Sequence, residues 1–169
     1  MSVVVQLFGV GAMISLFLIY QQKSRKNMIL CKLSADIFWI FHYFFLGATA
    51  GMIPNLVGFF REIVFFYRNK KKWANTTLWV AVFILINLLL GVRTFSEWYN
   101  VIPIIASPFV TFSLWLNNPK LTKIISAPVS VSFLIYDIYV GSYIGVINES
   151  ISILSIIIYF SRNIKGENT

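Results

Sequence analysis

Apolar residues recur along the chain in seven stretches that are separated by short polar segments. A helix needs about 20 mostly apolar residues to cross a bilayer, and fewer when it is buried among other helices. The pattern predicts seven membrane-spanning helices, at about 3–20, 29–48, 51–67, 74–92, 98–116, 121–140 and 143–161. The second and third spans are joined by a very short link, as are the sixth and seventh, so each pair should form a tight antiparallel hairpin.

Two parts of the chain match each other when residues are compared at an offset of 94. The matches join Gly47, Gly51, Phe66, Arg68 and Asn69 to Gly141, Gly145, Phe160, Arg162 and Asn163, respectively. Because one span separates two trios, the halves should be parallel repeats. The expected fold is an all-α membrane protein with two parallel three-helix bundles. Residues 1–69 form the first repeat, 70–97 a linker loop and linker helix, and 98–169 the second repeat with a cytoplasmic tail.

Composition excludes a water-soluble globular domain. Hydrophobic residues make up 58% of the 169 residues and charged residues 12%, whereas about 25% of residues are charged in ordinary soluble domains. The mean hydropathy is +0.77. We therefore expect the whole chain to be one unit embedded in a lipid bilayer.

Basic residues predict the orientation of the spans. They follow spans one, three, five and seven: Lys23, Arg25, Lys26, Arg68, Lys70, Lys71, Lys72, Lys120, Lys123, Arg162 and Lys165. The alternate loops carry only Arg93, which Glu97 balances. Because cytoplasmic loops retain Lys and Arg, the N-terminus should lie outside and the C-terminus in the cytoplasm. This retention also explains the net charge of +8. Because the basic residues flank apolar spans, we expect them to contact anionic lipid, and we expect no nucleic-acid partner.

Four charged residues lie inside the predicted first hairpin. Counted from the span ends, Asp36 and Arg61 have the same depth, which predicts an ion pair between them. Lys32 and Glu62 lie close enough to complete a cluster. Two interpretations stay open: a structural clamp on the hairpin, and a gating or proton-linked role.

A second polar group lies nearer the outer side of the membrane in each half. His42, Asn55, Trp39 and Tyr43 could bind and stack a polar, ring-shaped solute, although His42 could instead be satisfied by a neighbouring helix. The offset of 94 places Tyr136 at the position of His42, Asp137 at Tyr43 and Glu149 at Asn55. The candidate substrate-binding residues are Trp39, His42, Tyr43, Asn55, Tyr136, Asp137, Asn148 and Glu149.

No motif in the sequence indicates catalysis. The chain has one His, no Cys–His pairing, no metal-ligand spacing and no phosphate-binding or dinucleotide fingerprint. We therefore expect no enzymatic activity, no cofactor and no metal site.

The segment from His42 to Asn55, with Arg61 and the basic loop that follow, resembles the bacterial YgjV-type inner membrane proteins. That segment reads HYFFLGATAGMIPN. This family is similar in turn to the SWEET, SemiSWEET and PQ-loop transporters, which implies two three-helix bundles joined by a linker helix. The likeness implies substrate contacts from Asn55 and from an aromatic residue, Trp39 or Tyr43. In the second half the corresponding residue is Asn148 or Glu149. It implies no particular substrate.

Two functions follow as hypotheses. The first is an alternating-access carrier of a small polar solute, sugar-like or vitamin-like, gated by the charged cluster. The second is a non-transporting scaffold or sensor that docks a partner on the basic loop 68–72. The substrate, the direction, ion coupling and the choice between monomer and homodimer stay open.

Overall fold

The computed structural model describes residues 2–22, 25–116 and 118–166. These residues form seven α-helices and two short 3₁₀-helices, Lys72–Ala74 and Trp98–Asn100, and contain no strand. The α-helices are α1 Val3–Gln21, α2 Arg25–Leu46, α3 Thr49–Tyr67, α4 Leu78–Val92, α5 Val101–Leu116, α6 Pro119–Val140 and α7 Tyr143–Gly166. The all-helical prediction is confirmed. Lys23 of the first basic loop lies outside the described residues, as do the side chains of Arg25, Lys26, Arg162 and Lys165.

A glycine in the left-handed backbone region follows each of the two hairpin helices α2 and α6. Gly47 has φ 76° and Gly141 has φ 73°, a region that side chains with a Cβ enter at a cost. Each glycine reverses the chain within a few residues, so that α3 packs on α2 and α7 packs on α6. The two tight turns expected from the sequence are confirmed.

Six of the seven described helices close into a ring. α1, α2 and α3 pack in chain order, and α5, α6 and α7 do the same. α3 also contacts α5, and α7 contacts α1, which closes the ring. α4 packs outside the ring against α5 and α3, and the side-chain amide of Asn87 on α4 donates to the carbonyl of Ile104 on α5 (3.5 Å).

The helices are apolar enough for a membrane protein. Four described segments are long and apolar enough to cross a membrane: Asn27–Leu46, Trp98–Leu116, Lys120–Val140 and Tyr143–Ser161. Val3–Leu18 and Leu78–Val92 are shorter apolar helices. Large apolar side chains such as Leu7, Phe60 and Leu89 are exposed, as expected for a surface that faces hydrocarbon.

Polar side chains occupy the interior. Asp36, His42, Thr111, Asp137 and Ser142 are each at most 1% exposed. They share the interior with apolar residues such as Val57 and Phe83, whereas in a soluble domain such polar residues are mostly outside. Buried polar groups need hydrogen-bond partners or a ligand, so the interior is where a functional site is to be sought.

Candidate functional site

A cavity of about 240 Å³ lies within the helix ring and is lined by α2, α3, α5, α6 and α7. Its lining residues are Lys32, Asp36, Trp39, Tyr43, Pro54, Asn55, Arg61, Ser107, Val110, Ser126, Val129, Ser130, Phe133, Asn148, Glu149 and Ser152. Small-molecule sites are concave and range from about 300 to 1,000 Å³. The volume and the polar lining suit a small, polar ligand.

Ten of these lining residues form five pairs that stand 94 residues apart, which is the offset at which the two sequence halves match. The pairs are Lys32 with Ser126, Asp36 with Ser130, Trp39 with Phe133, Pro54 with Asn148, and Asn55 with Glu149. α2 and α6 therefore present corresponding positions to the cavity, and so do α3 and α7.

The four charged residues of the first hairpin form two local ion pairs. Lys32 contacts Asp36 one turn away on α2, and Arg61 contacts its neighbour Glu62 at 3.2 Å. The predicted ion pair between Asp36 and Arg61 is wrong, because each residue finds a nearer partner on its own helix. Arg61 also donates to Oγ1 of Thr111 at 2.9 Å, which ties α3 to α5.

Two buried polar atoms beside the cavity lack a hydrogen-bond partner among the described residues. They are Oδ2 of Asp36 and Nε of Arg61. An unpartnered buried polar atom carries an uncompensated desolvation cost of about 1–3 kcal/mol. An acceptor and a donor are thus available to a polar ligand on residues that line the cavity.

The carboxylate of Glu149 lines the cavity from α7. Asn148 donates to its Oε1 at 3.0 Å. Asn55, the position paired with Glu149, donates to the carbonyl of Gly51 within its own helix at 3.0 Å. Its side chain is therefore held towards the cavity without a bond to another helix.

His42, Tyr136 and Asp137 do not line the cavity but are buried in the contact between the two hairpins. His42 reaches Ser142 at the second turn through Nε2 (2.8 Å), and Tyr136 accepts from the backbone N–H of Gly51 after the first turn (2.8 Å). Tyr43, which does line the cavity, donates to Asp137 at 2.8 Å. Glu62 lines a separate surface pocket with Arg68 and Asn69.

Sequence reasoning missed the serines of the cavity and the role of Ser142. Ser107, Ser126, Ser130 and Ser152 line the cavity, yet small hydroxyl residues also suit simple helix packing. The offset of 94 applied to Lys32 and Asp36 would have found Ser126 and Ser130. No local signal marked Ser142, because its contact with His42 spans 100 residues of sequence.

An exposed apolar exterior, long apolar helices and a polar cavity among them define a helical membrane protein with several candidate spans. The chain belongs to the Imp-YgjV family of bacterial inner membrane proteins, whose family model matches residues 3–166. The resemblance seen in the first hairpin is thereby confirmed, and the protein is assigned to the bacterial inner membrane. No curated protein and no solved structure matches the chain.

Proposed function

We propose that the protein is an alternating-access carrier of a small polar solute, which binds in the cavity between the two hairpins. The observation that carries the proposal is the paired lining, in which residues 94 apart face one cavity. Carriers built from two like halves bind their substrate where the halves meet and expose it to each side by rocking one half against the other.

The proposal includes a complete membrane topology. Seven crossings arranged as three, one and three, with the N-terminus outside, give two parallel repeats connected by α4. The closed ring of α1–α3 and α5–α7, with α4 outside it, supports this arrangement. The contacts of α3 with α5 and of α7 with α1 are corresponding interfaces in that scheme, and rocking would open and close them.

The lining indicates the chemistry of the solute. Lys32 and Arg61 supply donors, and Asp36 and Glu149 supply acceptors. Trp39 and Phe133 supply aromatic rings at paired positions of the lining, and aromatic rings suit a sugar-like or vitamin-like solute. The proposed activity is binding and release without covalent chemistry, because none of these groups forms a nucleophile–base pair.

Ligand-dependent stabilisation of the purified full-length protein tests the proposal. Sugars, nucleosides and vitamins are screened for a rise in melting temperature, since a ligand at 100 times its Kd stabilises the folded state by about 2.7 kcal/mol. A stabilising solute is then added outside proteoliposomes that contain the protein. We expect uptake that the Asn55→Ala variant loses, with unchanged melting of the free protein, because Asn55 bonds only within its own helix.

Asn75→Ala is the matched control, since this exposed asparagine lies in the loop before α4. It should bind and transport as the unmodified chain does. If both variants lost uptake equally, the loss could not be attributed to the cavity. Uptake by Asn55→Ala equal to that of the unmodified chain would remove Asn55 from the site.

A scaffold or sensor is the second candidate, and the exposed residues Lys70, Lys71, Lys72 and Trp73 favour it. A basic loop with an exposed indole is suited to an acidic partner surface. Recovery of one stoichiometric partner that the triple Lys→Ala variant of this loop fails to bind, together with no stabilising solute, would support this function over transport.

A further inference from the structure

The charged side chains that line the cavity do not balance one another. Lys32 forms an ion pair with Asp36. Arg61 forms an ion pair with Glu62 at 3.2 Å. Glu149 also lines the cavity, yet no Lys, Arg or His among the described residues forms an ion pair with it. With these groups in their usual ionised forms, the lining and its two ion pairs carry one excess negative charge.

The excess charge belongs to Glu149 and has no neutralising neighbour among the described residues. Asn148 donates to Oε1 of Glu149 at 3.0 Å, but an amide brings no positive charge. The counterpart of Glu149 at the offset of 94 is Asn55, which is also a neutral amide. An ionised side chain inside a bilayer is costly unless it has a partner of opposite charge or contact with water. Either a proton or a cationic solute would supply the missing positive charge.

Three aromatic side chains of the lining favour an organic cation over a proton alone. They are Trp39 and Tyr43 on α2 and Phe133 on α6. The rings of Trp39 and Tyr43 stack, with their centroids 5.6 Å apart and their planes 26° apart. Aromatic rings attract ammonium groups, most strongly where water is excluded. A proton on Glu149 would make no use of these rings, whereas an organic cation would.

The two unpartnered atoms beside the cavity indicate what else the solute carries. Oδ2 of Asp36, a residue that is 1% exposed, needs a donor such as the N–H of an amine. Nε of Arg61 needs an acceptor such as a hydroxyl or carbonyl oxygen. An anionic group would also satisfy Arg61, but it would add negative charge to a lining that already has an excess.

We propose that the solute is a small organic cation, a protonated amine that also carries a hydroxyl or carbonyl oxygen, and that Glu149 is its counterion. This inference rests on the proposed function, since it names the class of solute for the same cavity. An amine balances the excess charge, contacts the aromatic rings and supplies a donor to Asp36. A neutral sugar supplies donors but leaves the charge of Glu149 unbalanced.

Matched pairs of solutes, in which an amine replaces one hydroxyl group, test the proposal by thermal melting of the full-length protein in detergent. The pairs are glucosamine with glucose, ethanolamine with ethylene glycol, tyramine with tyrosol, and aminobutanol with butanediol. Sodium chloride equalises the ionic strength of the neutral samples. We expect at least one amine to raise the melting temperature more than its partner does. If no amine does so, or if sodium chloride alone produces the same rise, the proposal is wrong.

Glu149→Gln keeps the size of the side chain and the bond with Asn148, and removes the charge. We expect the Kd of a stabilising amine to rise by about tenfold to a hundredfold, as for loss of a hydrogen bond to a charged group. Melting without solute should not fall, because no ion pair is lost. Glu149→Asp retains the charge and should bind the amine more tightly than Glu149→Gln does.

Glu97→Gln is the matched control, since it removes the same charge from an exposed position outside the cavity. It should bind the amine as the unmodified chain does. Equal affinity of the amine for Glu149→Gln and for the unmodified chain would show that Glu149 is not the counterion. The matched solutes decide the question on the unmodified chain even if Glu149→Gln fails to fold.

Uptake into proteoliposomes separates this inference from the carrier function. Uptake of neutral partners without any preference for the amines would keep the carrier and refute the amine. Binding of an amine that Glu149→Gln weakens, with no uptake of that amine, would refute the carrier and keep Glu149 as an amine-binding residue.

Discussion

Tyr43 on α2 donates a hydrogen bond of 2.8 Å to Oδ1 of Asp137 on α6, and the two residues stand 94 positions apart. That separation equals the offset at which the two halves of the sequence match. If an axis relates two like halves, as we propose, a residue contacts its own counterpart only close to that axis. The pair would therefore mark the centre of the interface around which the halves move.

Tyr43→Phe removes the donor and leaves a buried acid with one partner fewer. We expect a loss of about 1–3 kcal/mol in the free energy of unfolding, the cost of an unsatisfied buried polar group. Thermal melting of the purified protein in detergent measures it. Tyr143→Phe is the control, since Tyr143 is 65% exposed and should change stability little.

A double-mutant cycle with Asp137→Asn separates this hydrogen bond from other effects of the substitutions. The coupling energy between the two positions should be about 0.5–3 kcal/mol, as for residues in direct contact. Additive losses would show that Tyr43 and Asp137 do not stabilise the fold through each other.

Close approach of the hairpins depends on Gly51. A Cβ at this position would lie 2.7 Å from Cε1 of Tyr136 and 2.9 Å from Cδ1 of Tyr43. Gly51→Ala should therefore force the two hairpins apart and cost about 1–3 kcal/mol, as overpacking does. Thermal melting measures this loss as well.

Gly58→Ala is the matched control on the same helix. Its Cβ would lie 3.3 Å from Nη2 at the flexible end of Arg61 and at an ordinary contact distance of 3.8 Å from Oδ2 of Asp36. Alanine also stabilises a helix interior by about 1 kcal/mol relative to glycine. Equal melting temperatures for the two alanine variants would contradict the close packing at Gly51.

The helix bounds could be predicted from the sequence because apolar run length is a strong signal. The turns at Gly47 and Gly141 could be predicted too. Two apolar runs joined by a link of a few residues must lie antiparallel, and glycine permits the tight turn between them. Each predicted span corresponds to a described helix. The number of membrane crossings could not be predicted in the same way, because α4 has only 15 residues and is short for a membrane span.

The cavity was only partly predictable. The depth of a residue in the membrane can be counted along a helix from the sequence, but the direction in which it points around the helix axis cannot. Asp36 and Arg61 were therefore predicted at the same depth, yet each forms its ion pair with a residue on its own helix. Trp39 and Asn55 were found because polar and aromatic residues stand out among apolar ones. Ser142 could not be predicted as a contact residue, because its partner His42 lies on another helix, 100 residues away in sequence.

A buried hydrogen bond between α3 and α5 depends on the hydroxyl of Thr111. Oγ1 of Thr111 accepts from Nη1 of Arg61 at 2.9 Å, and both side chains are buried. Thr111→Val keeps the shape and removes the acceptor, so we expect a loss of about 1.5–3 kcal/mol, typical of hydrogen bonds to charged groups. Thr111→Ser should melt near the unmodified chain, and an unaltered melting temperature in Thr111→Val would show that Arg61 is satisfied elsewhere.

The proposed topology depends most on α4, because its 15 residues extend only about 22 Å against a hydrocarbon core of about 30 Å. Lys71 and Glu97 flank this helix and are exposed. In a Cys31→Ser background, Lys71→Cys and Glu97→Cys are labelled with a membrane-impermeant maleimide. If α4 crosses the membrane, right-side-out spheroplasts should label Glu97→Cys and spare Lys71→Cys, and inverted vesicles should do the opposite, because the basic side of the loop faces the cytoplasm.

Labelling of both variants from one side would show that α4 does not cross the membrane, and the two halves would then not be parallel. The reversed pattern would keep α4 as a span but invert the orientation of the whole chain.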